Sequence, residues 1–118
     1  MSYDIELCDP VTGKTLCLEE PHQIIGGTYA VGGTKELCLN VTYNYGEHYY
    51  RILGEEGIRV IYGMTGAESI PVLKQAMDAL GDDVSDDYWE ATEGNAKAAL
   101  AGLLQMAQWR PDGVWQGD

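Results

Sequence analysis

Residues 36–45 alternate without a break: Leu37, Leu39, Val41, Tyr43 and Tyr45 occupy one set of positions, and Cys38, Asn40, Thr42 and Asn44 the other. Successive side chains of a strand point to opposite faces, so this pattern fits a half-buried strand and no helix. It commits the chain to a sheet with one covered face. Gly46 ends the alternation. Residues 47–53 then read either as a helical turn or as a continued strand that ends at Gly54, and Ile58, Val60 and Ile61 suit either period.

Other strand signals sit in the first third. Tyr3, Ile5 and Leu7 alternate with Asp4 and Glu6, and residues 9–14 carry turn chemistry in Pro10 and Gly13. With residues 15–18 returning, 3–18 is expected to form a β-hairpin. The glycine pairs Gly26-Gly27 and Gly32-Gly33 bracket a short expected strand at residues 28–31.

The second half turns helical. Thr65 and Glu68 have the spacing of a capping box. Pro71 sits badly in a helix interior, so the helix is expected to start near Ser69 and stop at Gly81. Thr92 caps a second long helix, with Ala96, Ala99, Leu100, Leu103, Leu104 and Ala107 forming its apolar stripe and Pro111 ending it. Residues 112–115 turn back to bury Trp115. Strands first and helices after define an α+β class: a small antiparallel sheet from the N-terminal half, packed by two C-terminal helices. A chain of 118 residues forms one domain, 1–118.

Charge narrows the function. The formal net charge is −12, a field that repels phosphate backbones and anionic membranes, so direct nucleic-acid and membrane binding are disfavoured. The acidity either maintains solubility or mimics DNA before a protein that reads it. Seven acids lie at residues 78–93 and no Lys or Arg occurs at 75–96, whereas 37–45 carries no acid. No run approaches the length of a membrane span, and the N-terminal residues lack the basic start and apolar run of a signal peptide. A cytoplasmic protein with reduced Cys8, Cys17 and Cys38 is expected. With no CxxC and only His22 and His48 to complete a site, no metal and no cofactor are expected.

Catalytic and phosphate-binding patterns are absent. GxxxxGKS/T does not occur, and neither histidine stands in a triad relation to a Ser or Cys. Asp82, Asp83, Asp86 and Asp87 lack the alternate spacing of a calcium loop. Residues 63–66, at a helix N-terminus with Arg59 near in sequence, read as a tight turn with a cap or as an anion site that would engage Thr65. The most suggestive patch is Asn40, Thr42, Tyr43, Asn44 and Tyr45, followed by His48, Tyr49 and Tyr50. Amide, hydroxyl, phenol and imidazole groups at strand spacing suit a planar polar ligand. The same residues serve equally as a core with wet hydroxyls beside a solvated face. A second polar-aromatic cluster, residues 88–95, contains Trp89 and Asn95 and reads as a helix cap or as part of that site.

The segments LNVTYNYGEHYYRILGEEGIRVIYGMTGAESIPVL, DDYWEATEGNAKAAL and RPDGVWQGD resemble a family of small uncharacterised proteins encoded by bacteriophages and prophages, largely of Firmicutes hosts. The resemblance covers nearly the whole chain. It implies a protein that acts inside a bacterial host cell, and it brings no catalytic residues. Asn40, Thr42, Tyr43, Asn44, Tyr45, Arg59, Tyr62, Gly63, Trp89, Thr92, Gly94 and Asn95 carry the pattern; Gly46 stands where the pattern has a serine.

The expected function is a non-enzymatic, phage-encoded binding protein that captures a nucleotide-type immune signal. Its ligand-binding residues would be Asn40, Thr42, Tyr43, Asn44, Tyr45, His48, Arg59, Tyr62, Thr65, Trp89 and Asn95. The alternative is an acidic inhibitor that mimics DNA before a host nuclease or defence protein. The tyrosine-rich strand also suits a homo-oligomer.

Overall fold

In the computed structural model, residues 1–27 and 31–118 are described, and the short strand expected at 28–31 lies largely outside them. Among the described residues, five strands and three α-helices follow one another: β1 (Ser2–Cys8), β2 (Cys17–His22), β3 (Thr34–Glu36), β4 (Cys38–Thr42), α1 (Gly46–Leu53), α2 (Gly66–Asp78), α3 (Glu93–Trp109) and β5 (Val114–Gly117). The class is α+β, as expected.

The main sheet runs β4-β1-β5, all antiparallel. Tyr3 pairs with Val41, Ile5 with Leu39, and Leu7 with Trp115. The inward set Tyr3, Ile5, Leu7, Leu39, Val41 and Trp115 is buried while Asp4 and Glu6 are exposed, the alternation a one-sided sheet demands. Those side chains join Leu73 and Ala76 of α2 and Leu100, Leu103, Met106 and Ala107 of α3 in one core.

Three expectations need correction. The hairpin over 3–18 forms only at its turn. Leu16 N–H donates to the Leu7 carbonyl, and then β2 leaves to pair with β3. β1 has no room for more: β4 takes Ser2 to Glu6 on one edge and β5 takes Ile5 to Cys8 on the other. The sheet therefore draws its third strand from the C-terminal end of the chain rather than from the N-terminal half alone. The long strand also stops early. Tyr43–Tyr45 is a 3-10 turn capped by Thr42, whose Oγ1 accepts the Asn44 N–H at 3.2 Å. Tyr45 is buried from that turn, not from a strand, and residues 46–53 take the helical alternative.

The third correction concerns α2. It begins at Gly66, three residues before Ser69, because the capping box is complete: Glu68 N–H donates to Thr65 Oγ1 at 3.0 Å and Thr65 N–H to Glu68 Oε1 at 2.9 Å. Pro71 lies inside the helix on its exposed side, as does Ala67, whose carbonyl loses its partner to the proline ring. Trp115 is buried as expected, and Thr92 caps α3 through Asn95 N–H at 3.0 Å.

Candidate functional site

The polar groups of residues 42–49 point at another part of the chain. Asn44 Nδ2 donates to the Trp89 carbonyl at 2.8 Å, the Tyr45 hydroxyl to the Tyr88 carbonyl, and the Tyr49 hydroxyl to the Ala96 carbonyl at 2.9 Å. His48 Nε2 lies 2.8 Å from the Ala91 carbonyl, while its Nδ1 lies 3.1 Å from Arg51 Nη2. Since the guanidinium can only donate, that geometry fits the tautomer with the proton on Nε2. These side chains grip the backbone of residues 88–96. In return the Tyr88 hydroxyl accepts the Thr42 N–H at 3.0 Å and donates to the Asn40 carbonyl at 3.2 Å. That phenol, with the Gly27 N–H that also donates to the Asn40 carbonyl at 2.8 Å, closes the outer edge of β4 in place of a neighbouring strand.

Asn95 completes the clamp from the helix side. Its Oδ1 accepts the Ser85 N–H at 3.0 Å, and its Nδ2 donates to the Asp87 and Glu90 carbonyls at 3.0 Å each. An amide so saturated fixes the shape of the acidic loop and has no donor left for a ligand. The result is an irregular loop, 82–90, whose backbone is held from two sides. Asp82, Asp83, Asp86, Asp87 and Glu90 project outward with Val84 and Trp89, which are 70% and 51% exposed.

Arg59 and Tyr62 belong to a different group. Arg59 lies over the Tyr3 ring at 4.8 Å and the Tyr43 ring at 5.7 Å, its Nη2 donating to the Tyr43 hydroxyl at 3.2 Å and its Nε to the Asp118 carbonyl at 2.9 Å. Tyr3, Tyr43, Tyr50 and Arg59 line a small pocket of about 180 Å³. The Tyr62 ring packs against Gly117, and its buried hydroxyl has no partner among the described residues.

The turn at residues 63–66 has no backbone donor to spare. Gly63 N–H donates to the Trp115 carbonyl, Met64 to Ile61, Gly66 to Gly113 and Ala67 to Pro111, at 2.8–3.0 Å, and the Thr65 N–H is held by Glu68. Of the two readings of that turn, the cap is realised and the anion cradle is not. Asn40 turns to the sheet surface, where its Nδ2 donates to Ser2 Oγ at 2.7 Å and Asp4 Oδ1 at 2.6 Å.

The structure thus brings Thr42, Asn44, Tyr45, His48, Trp89 and Asn95 together around one loop, sets Tyr43 beside Arg59, and leaves Thr65 apart. Tyr3 escapes sequence reasoning as a site residue, and neither Tyr50 nor Tyr88 is among the expected ligand-binding residues, although each falls within a polar-aromatic cluster. Tyr88 meets β4 across more than forty residues of chain, and no local signal marks such a pairing.

Burial governs the phenols. It pushes Tyr45 up to about 12, helped by Tyr88 and Asp87, and holds Tyr49 well above its ordinary value. Tyr3 also rises to about 12, by burial first and then by its hydrogen bond with Tyr50. Near neutrality these hydroxyls are protonated donors, suited to holding carbonyls in place. Removing the Tyr88 hydroxyl should expose its role. Tyr88→Phe leaves the buried Thr42 N–H unpaired and is expected to cost about 1–3 kcal/mol in urea unfolding, with faster amide exchange at Thr42.

Among the described residues no group of three or more His, Cys, Asp or Glu side chains is arranged to hold a metal ion, and no helix is long and apolar enough to cross a membrane. No family model, curated protein or solved structure matches the chain.

Proposed function

We propose that this chain is a binding protein that docks a basic surface of a partner protein through the loop at residues 82–90. One observation carries the reading. A loop without regular structure is fixed by side-chain hydrogen bonds from Asn44, Tyr45, His48 and Asn95, while its acidic and aromatic side chains face outward. Fixing a loop before binding lowers the ordering cost of association. An exposed Trp within an acidic surround matches the anchors that dominate protein interfaces. The resemblance to phage proteins makes a host nuclease or defence protein the expected partner class. A partner that normally grips phosphates supplies the complementary charge.

Neutralising Asp82, Asp83, Asp86 and Asp87 together to Asn tests the reading. The loop backbone is expected to survive: Asn at 87 retains an oxygen for the Trp89 N–H, and the exposed Asp82–Lys97 ion pair contributes little. Partner capture from host lysate should fall at least about tenfold and should weaken with salt in the parent protein. Undiminished capture of the same partner by the quadruple variant would refute the docking face.

The nucleotide reading keeps one specific support, the pocket of Tyr3, Tyr43, Tyr50 and Arg59, where a cation sits among stacking surfaces. Calorimetry against cyclic and ADP-ribose-type nucleotides tests it: saturable heat that disappears in Arg59→Gln supports capture there, and a flat panel removes it.

A further inference from the structure

Behind the acidic loop lies a second cavity of about 210 Å³, between residues 85–88, the outer side of α3 and the chain at Ile25. Its walls are apolar or aromatic: Ile25, Tyr45, Tyr88, Ala98 and Ala99. The polar groups that reach it are almost all engaged. The Tyr45 and Tyr88 hydroxyls hold backbone groups, Asn95 is saturated, and the Ser85 hydroxyl donates to Glu90 Oε2 at 2.6 Å while accepting the Asp87 N–H at 3.1 Å. Asp86 is different. Its exposed carboxylate has no hydrogen-bond or ion-pair partner among the described residues.

We infer that this cavity receives an arginine side chain of the docked partner, and that this contact anchors the complex. Apolar walls suit the arginine stem, which buries its methylenes and keeps its charge at the mouth. The half-buried Tyr88 ring offers a flat surface for the planar guanidinium, a fit that a lysine ammonium does not share. Asp86 supplies the counter-charge at the opening. Charge complementarity favours a cation over an anion: seven acids lie at residues 78–93, and the nearest cation along the chain, Lys97, is paired with Asp82 at 2.7 Å. Val84 and Trp89, close in sequence to the lining residues 85–88 and both exposed, offer apolar surface to the rest of a basic loop.

The inference rests on the docking reading, and its test is separable from it. The probe is N-acetyl-arginine methylamide, titrated into the ¹⁵N-labelled protein, with the norleucine analogue as the apolar control. Saturable shifts are expected at residues 25, 85–88, 98 and 99 for arginine and not for norleucine. Asp86→Asn should weaken arginine binding about fivefold, while Asp83→Asn changes it less than twofold. Ala98→Tyr, at an exposed helix position, fills the mouth without altering charge and should abolish the localised shifts. Shifts spread evenly over all the loop acids, with Asp86→Asn and Asp83→Asn equivalent, would overturn the anchor while leaving charge-driven docking intact. So would the absence of any shift at millimolar probe. Localised arginine binding in a protein whose partner capture ignores loop neutralisation would support the cavity and sink the docking face instead.

Discussion

Trp115→Ala is expected to destabilise the protein by about 3–5 kcal/mol, a large part of the roughly 5–15 kcal/mol that holds an ordinary domain folded. The indole is fully buried, and its Nε1 donates to Ser69 Oγ at 2.8 Å. Its backbone is equally committed. Trp115 pairs with Leu7, its N–H donates to the Met64 carbonyl at 2.9 Å, and its carbonyl accepts the Gly63 N–H at 2.9 Å. The residue therefore joins β1, the turn before α2 and the end of the chain. Urea midpoints measure the loss, and Ser69→Ala separates its parts. That change leaves the buried indole N–H unpaired and should cost about 1–3 kcal/mol, less than losing the ring. If the two variants cost the same, the hydrogen bond rather than the packing holds the tail.

Alkaline pH should unfold the protein through its tyrosines. Tyr3, Tyr45 and Tyr62 are raised by burial from an ordinary value of 10.0 to about 12, and burial holds Tyr49 well above 10.0. A raised value means that the folded state keeps its proton after the unfolded state has lost it. Below pH 10.0 both states are protonated, so these groups leave stability independent of pH. Between 10.0 and about 12 only the unfolded chain ionises, and stability falls across that window. The tyrosinate band of these residues should appear together with the loss of far-ultraviolet circular dichroism. A tyrosinate band already half complete at pH 10.0, with the helical signal intact, would contradict the burial of these phenols. The hydrogen bonds of Tyr45 and Tyr49 to the 88–96 backbone make the acidic loop the first region expected to loosen.

What the sequence reveals of this fold is what neighbours in the chain decide. Thr65 with Glu68, and Thr92 with Asn95, act within one helical turn, so both helix starts are legible, although Pro71 argues against the first of them. Leu37, Leu39 and Val41 declare a strand through alternation alone. The same alternation continues into Tyr43 and Tyr45, where it misleads: Thr42 caps a 3-10 turn, and burial of Tyr45 preserves the pattern without the strand. β5 is only four residues long and carries too little period to identify. The clamp around the acidic loop is least visible. Asn44, Tyr45 and His48 bind carbonyls more than forty residues away, and a carbonyl carries no side-chain signature. Polar residue types at strand spacing are therefore equally consistent with a ligand pocket and with a latch on the chain's own backbone.

The order of strands in the main sheet has a consequence for synthesis. β1 is synthesised before its sheet partners and is also the middle strand, yet its Cys8 edge must wait for Val114. Until then β1 holds at most one neighbour, and Leu7 lacks the Trp115 that covers it. Closing so long a loop is entropically costly before the contacts that reward it exist, so folding should be slow for a domain of this size. Nascent chains halted before residue 114 should remain sensitive to protease, and the dense acidic stretch emerging midway would help keep such unfinished chains from associating.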